Sequence, residues 1–247
     1  MSNKQRDRAN AARERAEQMR REAEAKSRRT RTIIVAVTVV VIVALIAGVA
    51  VVVRNAMNSA AEAAKGPAGL SENGGYIGGQ ESAPVTVTEY LDFMCPACRQ
   101  FEENYGAELD QLEGDGQVRV ETVPVSILDR FSSGTEYSTR AASAAYCVME
   151  SDYDKTGDFI QAMYDNQPAE NSSGLTNQEI ADLAAGAGVS QAGQDCITSE
   201  TYKDYATAQT EAATKAGLQG TPFIVINGEP VAQGEDFKTK LDAALAG

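Results

Sequence analysis

Hydrophobic and polar positions divide the chain into unlike stretches. Residues 1–32 are polar, with Arg, Glu and Ala alternating over 5–28. That pattern suits either an exposed helix laced by i,i+4 ion pairs or a charged segment without fixed structure. Ile33 to Val53 is then an unbroken apolar run in which Thr38 is the only hydroxyl and Gly48 the only glycine. As a helix this run is about 30 Å long, enough to cross a bilayer core. Residues 54–80 turn to Ala, Gly, Ser, Glu and Asn, including Lys65-Gly-Pro-Ala-Gly and Asn73-Gly-Gly, a composition that predicts a flexible linker.

Regular periodicities begin after residue 80. Val85 to Phe93 reads as a strand, Arg99 to Leu112 as a short amphipathic helix ended by Gly114-Asp-Gly116, and Gln117 to Val125 as a second strand. Strand, helix and strand within about forty residues make a βαβ unit with parallel strands. The β signal then disappears until Gly220. Tyr137 to Glu150, Asp154 to Asn166, Thr176 to Gly186 and Ser199 to Ala216 read as helices. Thr176-Asn-Gln-Glu179 is a capping box, with Leu175 and Ile180 placed for a hydrophobic staple. Pro222 to Ile226 restores a strand, Asn227-Gly228 signals a hairpin into Glu229-Pro-Val-Ala, and Asp236 to Ala246 closes as a helix. The prediction is an α/β domain over 81–247 with a helical insertion at about 126–218.

Charge sharpens this picture. Residues 1–31 hold eleven Lys/Arg against five Asp/Glu, a net of +6; with −13 overall, the remainder carries −19. So acidic a body repels phosphates, and no nucleic-acid partner is expected. The basic flank predicts that the apolar run is a single transmembrane helix in contact with the lipid bilayer, with the N-terminus cytoplasmic and everything after 53 outside. A cleaved leader is the alternative, kept open by the small residues at 56–61 but opposed by the length of the run. The chain contains no His. That excludes Ser-His-Asp hydrolases and His-ligated zinc or copper sites, leaving chemistry based on thiols or carboxylates.

The thiols are informatively placed. Cys95-Pro96-Ala97-Cys98 sits where the first strand gives way to the first helix. With Pro96 in the first turn, Cys95 falls at or beside the N-cap, where unpaired N–H groups and the helix dipole favour its thiolate. Cys98, one turn further in, is the natural resolving thiol. A bare C-x-x-C is also compatible with half a zinc site or with two buried cysteines. The absence of His and of a second C-x-x-C favours redox chemistry, with no metal and no cofactor.

Phe93-Met-Cys-Pro-Ala-Cys98, Gly220-Thr-Pro-Phe-Ile-Val-Ile-Asn-Gly228 and the helical block between them resemble the membrane-anchored DsbA-type thiol-disulfide oxidoreductases of actinobacteria, within the thioredoxin superfamily. The resemblance covers about residues 84–247. It implies a thioredoxin-like fold with an inserted helical subdomain and a cis Thr221-Pro222 bond beside the active-site sulfurs. Thr221, Pro222, Pro96 and Ala97 would then contact substrate. It also implies that Glu89, six residues before Cys95, is a buried proton relay to the resolving thiol; a solvent-facing acid is the alternative. One departure concerns Ala97: many oxidising relatives have His there, so a less oxidising disulfide is expected.

Cys147 and Cys196 both fall in the helical block. Outside the membrane an even cysteine count favours a structural disulfide between them, with buried free thiols or a second redox relay as alternatives. Three functions compete. The first is an oxidase of exported, cysteine-bearing unfolded proteins that is reoxidised by a membrane redox partner. The second is a reductase or isomerase using the same couple, although no dimerisation region precedes residue 84. The third is a membrane-tethered chaperone whose thiols are incidental.

Overall fold

The computed structural model describes residues 65–232 and 234–247. The basic tail 1–32, the apolar run 33–53 and the expected linker through 64 lie outside the described residues. Among the described residues no helix is long and apolar enough to cross a membrane.

Strands β1 (Tyr76–Gly79), β2 (Val85–Leu91), β3 (Val118–Pro124), β4 (Phe223–Ile226) and β5 (Glu229–Pro230) form one sheet in the order β1-β3-β2-β4-β5. β2 and β3 are parallel, with Val85 opposite Val118 and Leu91 opposite Pro124; the remaining pairs are antiparallel. A parallel pair needs a long crossover. Here it consists of α1 (Pro96–Phe101), a π-helical segment (Glu102–Gly106) and α2 (Ala107–Gly114). The expected βαβ unit is therefore present, with its helix interrupted by one π turn.

The expected linker 54–80 requires correction, because its end is folded and the domain begins well before 81. β1 has two glycines in four residues and no apolar alternation, so its sequence carries no strand signal. It is held by tertiary contacts instead. Tyr76 lies opposite Thr122 in the ladder with β3 and packs on Tyr153 with ring centroids 4.9 Å apart. The Ile77 N–H donates to the Tyr153 hydroxyl at 2.7 Å. Further upstream, the Ala68 N–H donates to the Glu150 carboxylate at 3.0 Å.

Between β3 and β4 lie α3 (Tyr137–Ser151), α4 (Thr156–Asp165), α5 (Asn177–Gly186), α6 (Gln191–Thr198) and α7 (Lys203–Lys215). The buried alanines 141, 142, 144 and 145 of α3 let its neighbours approach closely. The capping box of α5 is complete: the Glu179 N–H donates to Thr176 Oγ1 at 3.2 Å, and the Thr176 N–H donates to the Glu179 carboxylate at 2.7 Å. α6 is absent from the sequence expectation because its residues are mostly polar, only Gly193 and Ile197 being buried. At the far end, Asn227 and Gly228 take φ of 49° and 84° in the turn between β4 and β5, as a primed hairpin turn requires. α8 (Phe237–Ala246) packs Phe237 on Phe101 of α1.

Of the three apolar clusters among the described residues, two frame the C-x-x-C motif and its helix. One joins Val85 and Val87 to Phe101, Leu109 and Phe237, fixing the crossover helices on the sheet. The other joins Leu91, Phe93, Met94, Cys95 and Cys98 to the buried faces of α3, α4 and α5. The C-x-x-C motif therefore shares its core with the helical insertion, and each restricts movement of the other.

Candidate active site

Cys95 is the N-cap of α1, with extended backbone at φ −80° and ψ 114°, and Pro96 follows in the first turn. Its carbonyl accepts from the N–H groups of Cys98 at 3.1 Å and Arg99 at 3.2 Å, which starts the helix. This is the placement expected from the sequence. Cys95 and Cys98 are both buried free thiols, while Pro96 and Ala97 are exposed.

The two sulfurs differ sharply. A hydrogen bond from the Cys98 thiol, followed by contributions from Thr221 and from the N–H groups of Cys98 and Ala97, outweighs burial and pulls Cys95 down to about 6. Burial, then the Cys95 sulfur beside it, pushes Cys98 well above the ordinary thiol range. The environment favours the thiolate at Cys95 and the protonated thiol at Cys98, an asymmetry that a nucleophile backed by a resolving thiol would need.

The Gly220 to Gly228 motif lies against this pair. Thr221-Pro222 is cis, and the Cys95 Sγ lies 3.3 Å from the Thr221 carbonyl, to which it donates when protonated. Thr221 and Pro222 are half-buried, so they border Cys95 and remain partly open to solvent.

Glu89 points inward, which removes the solvent-facing alternative. It is 4% exposed and accepts from the Thr122 hydroxyl at 2.6 Å. Burial, then Glu102 nearby, holds its carboxyl well above the usual carboxylate range, with the Thr122 hydroxyl opposing. Its surroundings beneath the motif therefore favour the protonated acid over the carboxylate. Among the described residues no hydrogen bond joins it directly to Cys98.

Two residues at the site escaped the sequence reading. Asp92 is fully buried. Its Oδ1 accepts from the Met94 N–H at 2.9 Å and the Ser138 hydroxyl at 2.8 Å, and its Oδ2 from the Leu128 N–H at 3.0 Å. Burial outweighs these donors and raises its carboxyl to about 7. Gln167, just beyond α4, donates to the carbonyls of Phe93 at 3.1 Å and Cys95 at 2.9 Å. The only sequence signal was the position of Asp92 three residues before Cys95; Gln167 gave none.

Cys147 of α3 and Cys196 of α6 are joined in a disulfide, their Cα atoms 5.6 Å apart. The two residues are thus paired with each other rather than free thiols. A thiolate at the helix start backed by a more deeply buried thiol can be attacked at one sulfur as a disulfide or can attack through the same sulfur as a dithiol. That is the chemistry of thiol-disulfide exchange.

A family model described as Thioredoxin matches residues 71–243. The chain is 36% identical over 162 residues to the serine/threonine-protein kinase PknE of Mycobacterium tuberculosis, a match covering 62% of this chain and 28% of that protein. It therefore spans little more than a quarter of the length of those relatives. To Disulfide bond formation protein D of Bacillus subtilis it is 25% identical over 175 residues, covering 68% of this chain and 76% of that one. Among solved structures, the reduced DsbA of Mycobacterium tuberculosis superposes with a TM-score of 0.56 at 30% identity, covering 72% of this chain and 95% of that one.

Proposed function

This chain belongs to the thioredoxin family, among its DsbA-like thiol-disulfide oxidoreductases, and from that premise we propose that it is an oxidase introducing disulfides into exported proteins through the Cys95/Cys98 couple. The observation that carries this direction is the low pKa of Cys95, about 6. Holding the reduced form as a thiolate stabilises it, and a stabilised dithiol form makes its disulfide the stronger oxidant.

The steps follow from the asymmetry of the two sulfurs. A substrate thiolate attacks Cys95 in the Cys95–Cys98 disulfide; a mixed disulfide forms, and Cys98 leaves and takes a proton, with Glu89 the relay that supplies it. The second substrate thiolate then attacks its own half of the mixed disulfide, and Cys95 departs as the thiolate. Two electrons pass from the substrate dithiol to the couple, and a membrane redox partner linked to quinones removes them. Thr221, Pro222, Pro96 and Ala97 border the groove in which an extended cysteine-bearing segment lies.

The same reading puts the domain outside the cytoplasmic membrane, tethered by 33–53. The long apolar run with its basic flank supports the tether, and the Cys147–Cys196 bridge supports an oxidising compartment. Membrane association that survives alkaline extraction, with residues beyond 65 open to protease from outside, is the expected result. Release by alkali would refute the tether.

Ala97 favours a second reading as a reductase or isomerase, because it supplies no imidazolium to hold the thiolate. The reduction potential of the couple in the full chain, equilibrated in glutathione buffers, decides between them. A value of about −120 to −180 mV belongs with disulfide donors, whereas one near about −270 mV makes the chain a reductase.

A further inference from the structure

Asp92 occupies the turn between β2 and α1, and its backbone engages both active-site cysteines. Its carbonyl accepts from the Cys95 N–H at 2.9 Å, and its own N–H faces the Cys98 sulfur. The carboxyl is fully buried, and the three groups that hold it come from separate segments: Met94 in the turn, Leu128 in the loop after β3, and Ser138 in the first turn of α3. Two of these are backbone N–H groups, which only donate. Ser138 offers a hydroxyl, which donates or accepts. The surroundings therefore suit a carboxylate, yet the Ser138 hydroxyl can rotate to accept from a carboxylic acid.

Among the described residues no Lys or Arg pairs with Asp92. Cys95 and Cys98 face it from α1, Tyr137 from α3 and Tyr164 from α4, and each of these groups is neutral or negative. On the loop after β3, Asp129 spends its carboxylate on Thr139 and Arg130 lies over the Phe131 ring. Arg140 of α3 is committed to Thr135, Leu175 and Asn177, and Glu89 of β2 to Thr122. A negative charge on Cys95 then acts on Asp92 with neither water nor a cation to screen it. That charge exists only in the dithiol form, because both sulfurs of the disulfide are neutral.

We propose that Asp92 binds a proton when the Cys95–Cys98 disulfide is reduced and releases it when the disulfide re-forms, as a positioning residue that sets how steeply the couple's potential depends on pH. Resting on the oxidoreductase reading, this link adds a second proton, separate from the one that Cys98 takes. A substrate dithiol gives up two electrons and two protons as its own disulfide closes. The electrons break the Cys95–Cys98 bond; one proton is matched by the Cys98 thiol and the other by Asp92, exchanging through solvent, while Cys95 is left as the thiolate. One negative charge is thus present in either state, on Asp92 when the chain is oxidised and on Cys95 when it is reduced. In the reduced chain burial first, and the Cys95 charge last among the contributions, place the Asp92 carboxyl at about 7, so the exchange falls in the neutral range.

The test is a carbon-13 titration of the Asp92 carboxyl in the full-length wild-type chain, oxidised and reduced, with the signal assigned through its bonds to the Leu91 and Phe93 backbone. The midpoint in the disulfide form should lie below that in the dithiol form by about one pH unit, the scale of coupling between close acids. A second measurement is the equilibrium constant of the couple against glutathione in wild type and Asp92→Asn. From about pH 5 to about pH 8 the variant should become about tenfold more oxidising relative to wild type, about 30 mV for a two-electron couple. A purely structural Asp92 would leave that ratio the same at every pH. Equal midpoints in the two redox forms, or a constant ratio in a folded Asp92→Asn, overturn the proposal and leave the oxidoreductase reading standing. A wild-type chain whose Asp92 midpoint shifts with the disulfide, but which exchanges no disulfide with a dithiol peptide, would sink that reading while the proton link stands.

Discussion

The side-chain amide of Gln167 donates to the Cys95 carbonyl at 2.9 Å and to the Phe93 carbonyl at 3.1 Å, so a residue of the helical insertion holds both ends of the turn leading into α1. The Cys95 carbonyl also receives two helical N–H groups, whereas Phe93 lies in the turn before the helix. Gln167→Ala should therefore cost about 1 kcal/mol, the usual net worth of such a bond, and slow exchange through a looser motif. Gln167→Glu should be worse, because a carboxylate would face two carbonyls. Denaturant unfolding and Cys95 alkylation rates measure both effects. Equal stability of wild type and Gln167→Glu would show that the clamp does not act in solution.

The Cys147–Cys196 bridge closes a loop across 49 residues, from α3 to α6. Cross-linking a loop of that length stabilises by about 4 kcal/mol in the chain-entropy model. The double variant Cys147→Ala/Cys196→Ala should lose most of that in denaturant unfolding. It should keep Cys95-dependent exchange within about twofold at temperatures where it remains folded, as expected for a bridge that acts mainly on the unfolded chain. Loss of exchange in a folded double variant would instead identify the pair as a redox relay.

The sequence made the reactive motif and the fold around it readable, because both depend on local chemistry. Pro96 at the start of a helix, Thr176 with Glu179, and Asn227-Gly228 each act within four residues, and each stands where expected. What remained hidden depends on partners far along the chain. β1 is a strand because Thr122 and Tyr153 hold it, and α6 is tied to α3 through Cys147. Asp92 and Glu102 carry the residue types most often found in water, so their burial follows only from the insertion and the π segment closing over them. Glu89 lies between these cases: strand alternation aligned it with Leu91 and Phe93, but only the assembled fold decided that its face is the buried one.

The low pKa of Cys95 gives the reduced chain a distinct pH dependence. Cys95 titrates at about 6 in the fold, against roughly 8.5 when unfolded. A depressed acid stabilises the fold above its unfolded pKa and loses that contribution as pH falls through the folded one. The reduced wild type should thus gain stability over reduced Cys95→Ala as pH rises from about 6 to about 8.5, while Cys98, pushed the other way, stays protonated. Alkylation of Cys95 should have its midpoint at the lower end of that window. Cys98→Ala, which removes the hydrogen bond contributing most to the shift, should move the midpoint upward. An unmoved midpoint would transfer the effect to the backbone N–H groups of α1.

Asp92 gives the opposite slope. Its carboxyl titrates at about 7 in the fold, against roughly 3.9 unfolded, so its contribution is fully present below the unfolded value and lost as pH rises through the folded one. Between about pH 4 and 7 that loss approaches about 1.4 kcal/mol per pH unit for a single proton. Asp92→Asn removes the titration, and with it the slope, from the stability difference between the two proteins. It also puts an NH₂ group where one carboxylate oxygen accepted from Leu128 or from Met94 and Ser138, and the orphaned donor adds about 1–3 kcal/mol of destabilisation at every pH. Wild type should therefore exceed Asp92→Asn most at pH 4, with the gap closing towards pH 7. Denaturant unfolding of both proteins from pH 4 to pH 8 measures that gap. A constant gap would mean that Asp92 stays ionised throughout, held by its three donors as a fixed negative charge three residues before the Cys95 thiolate.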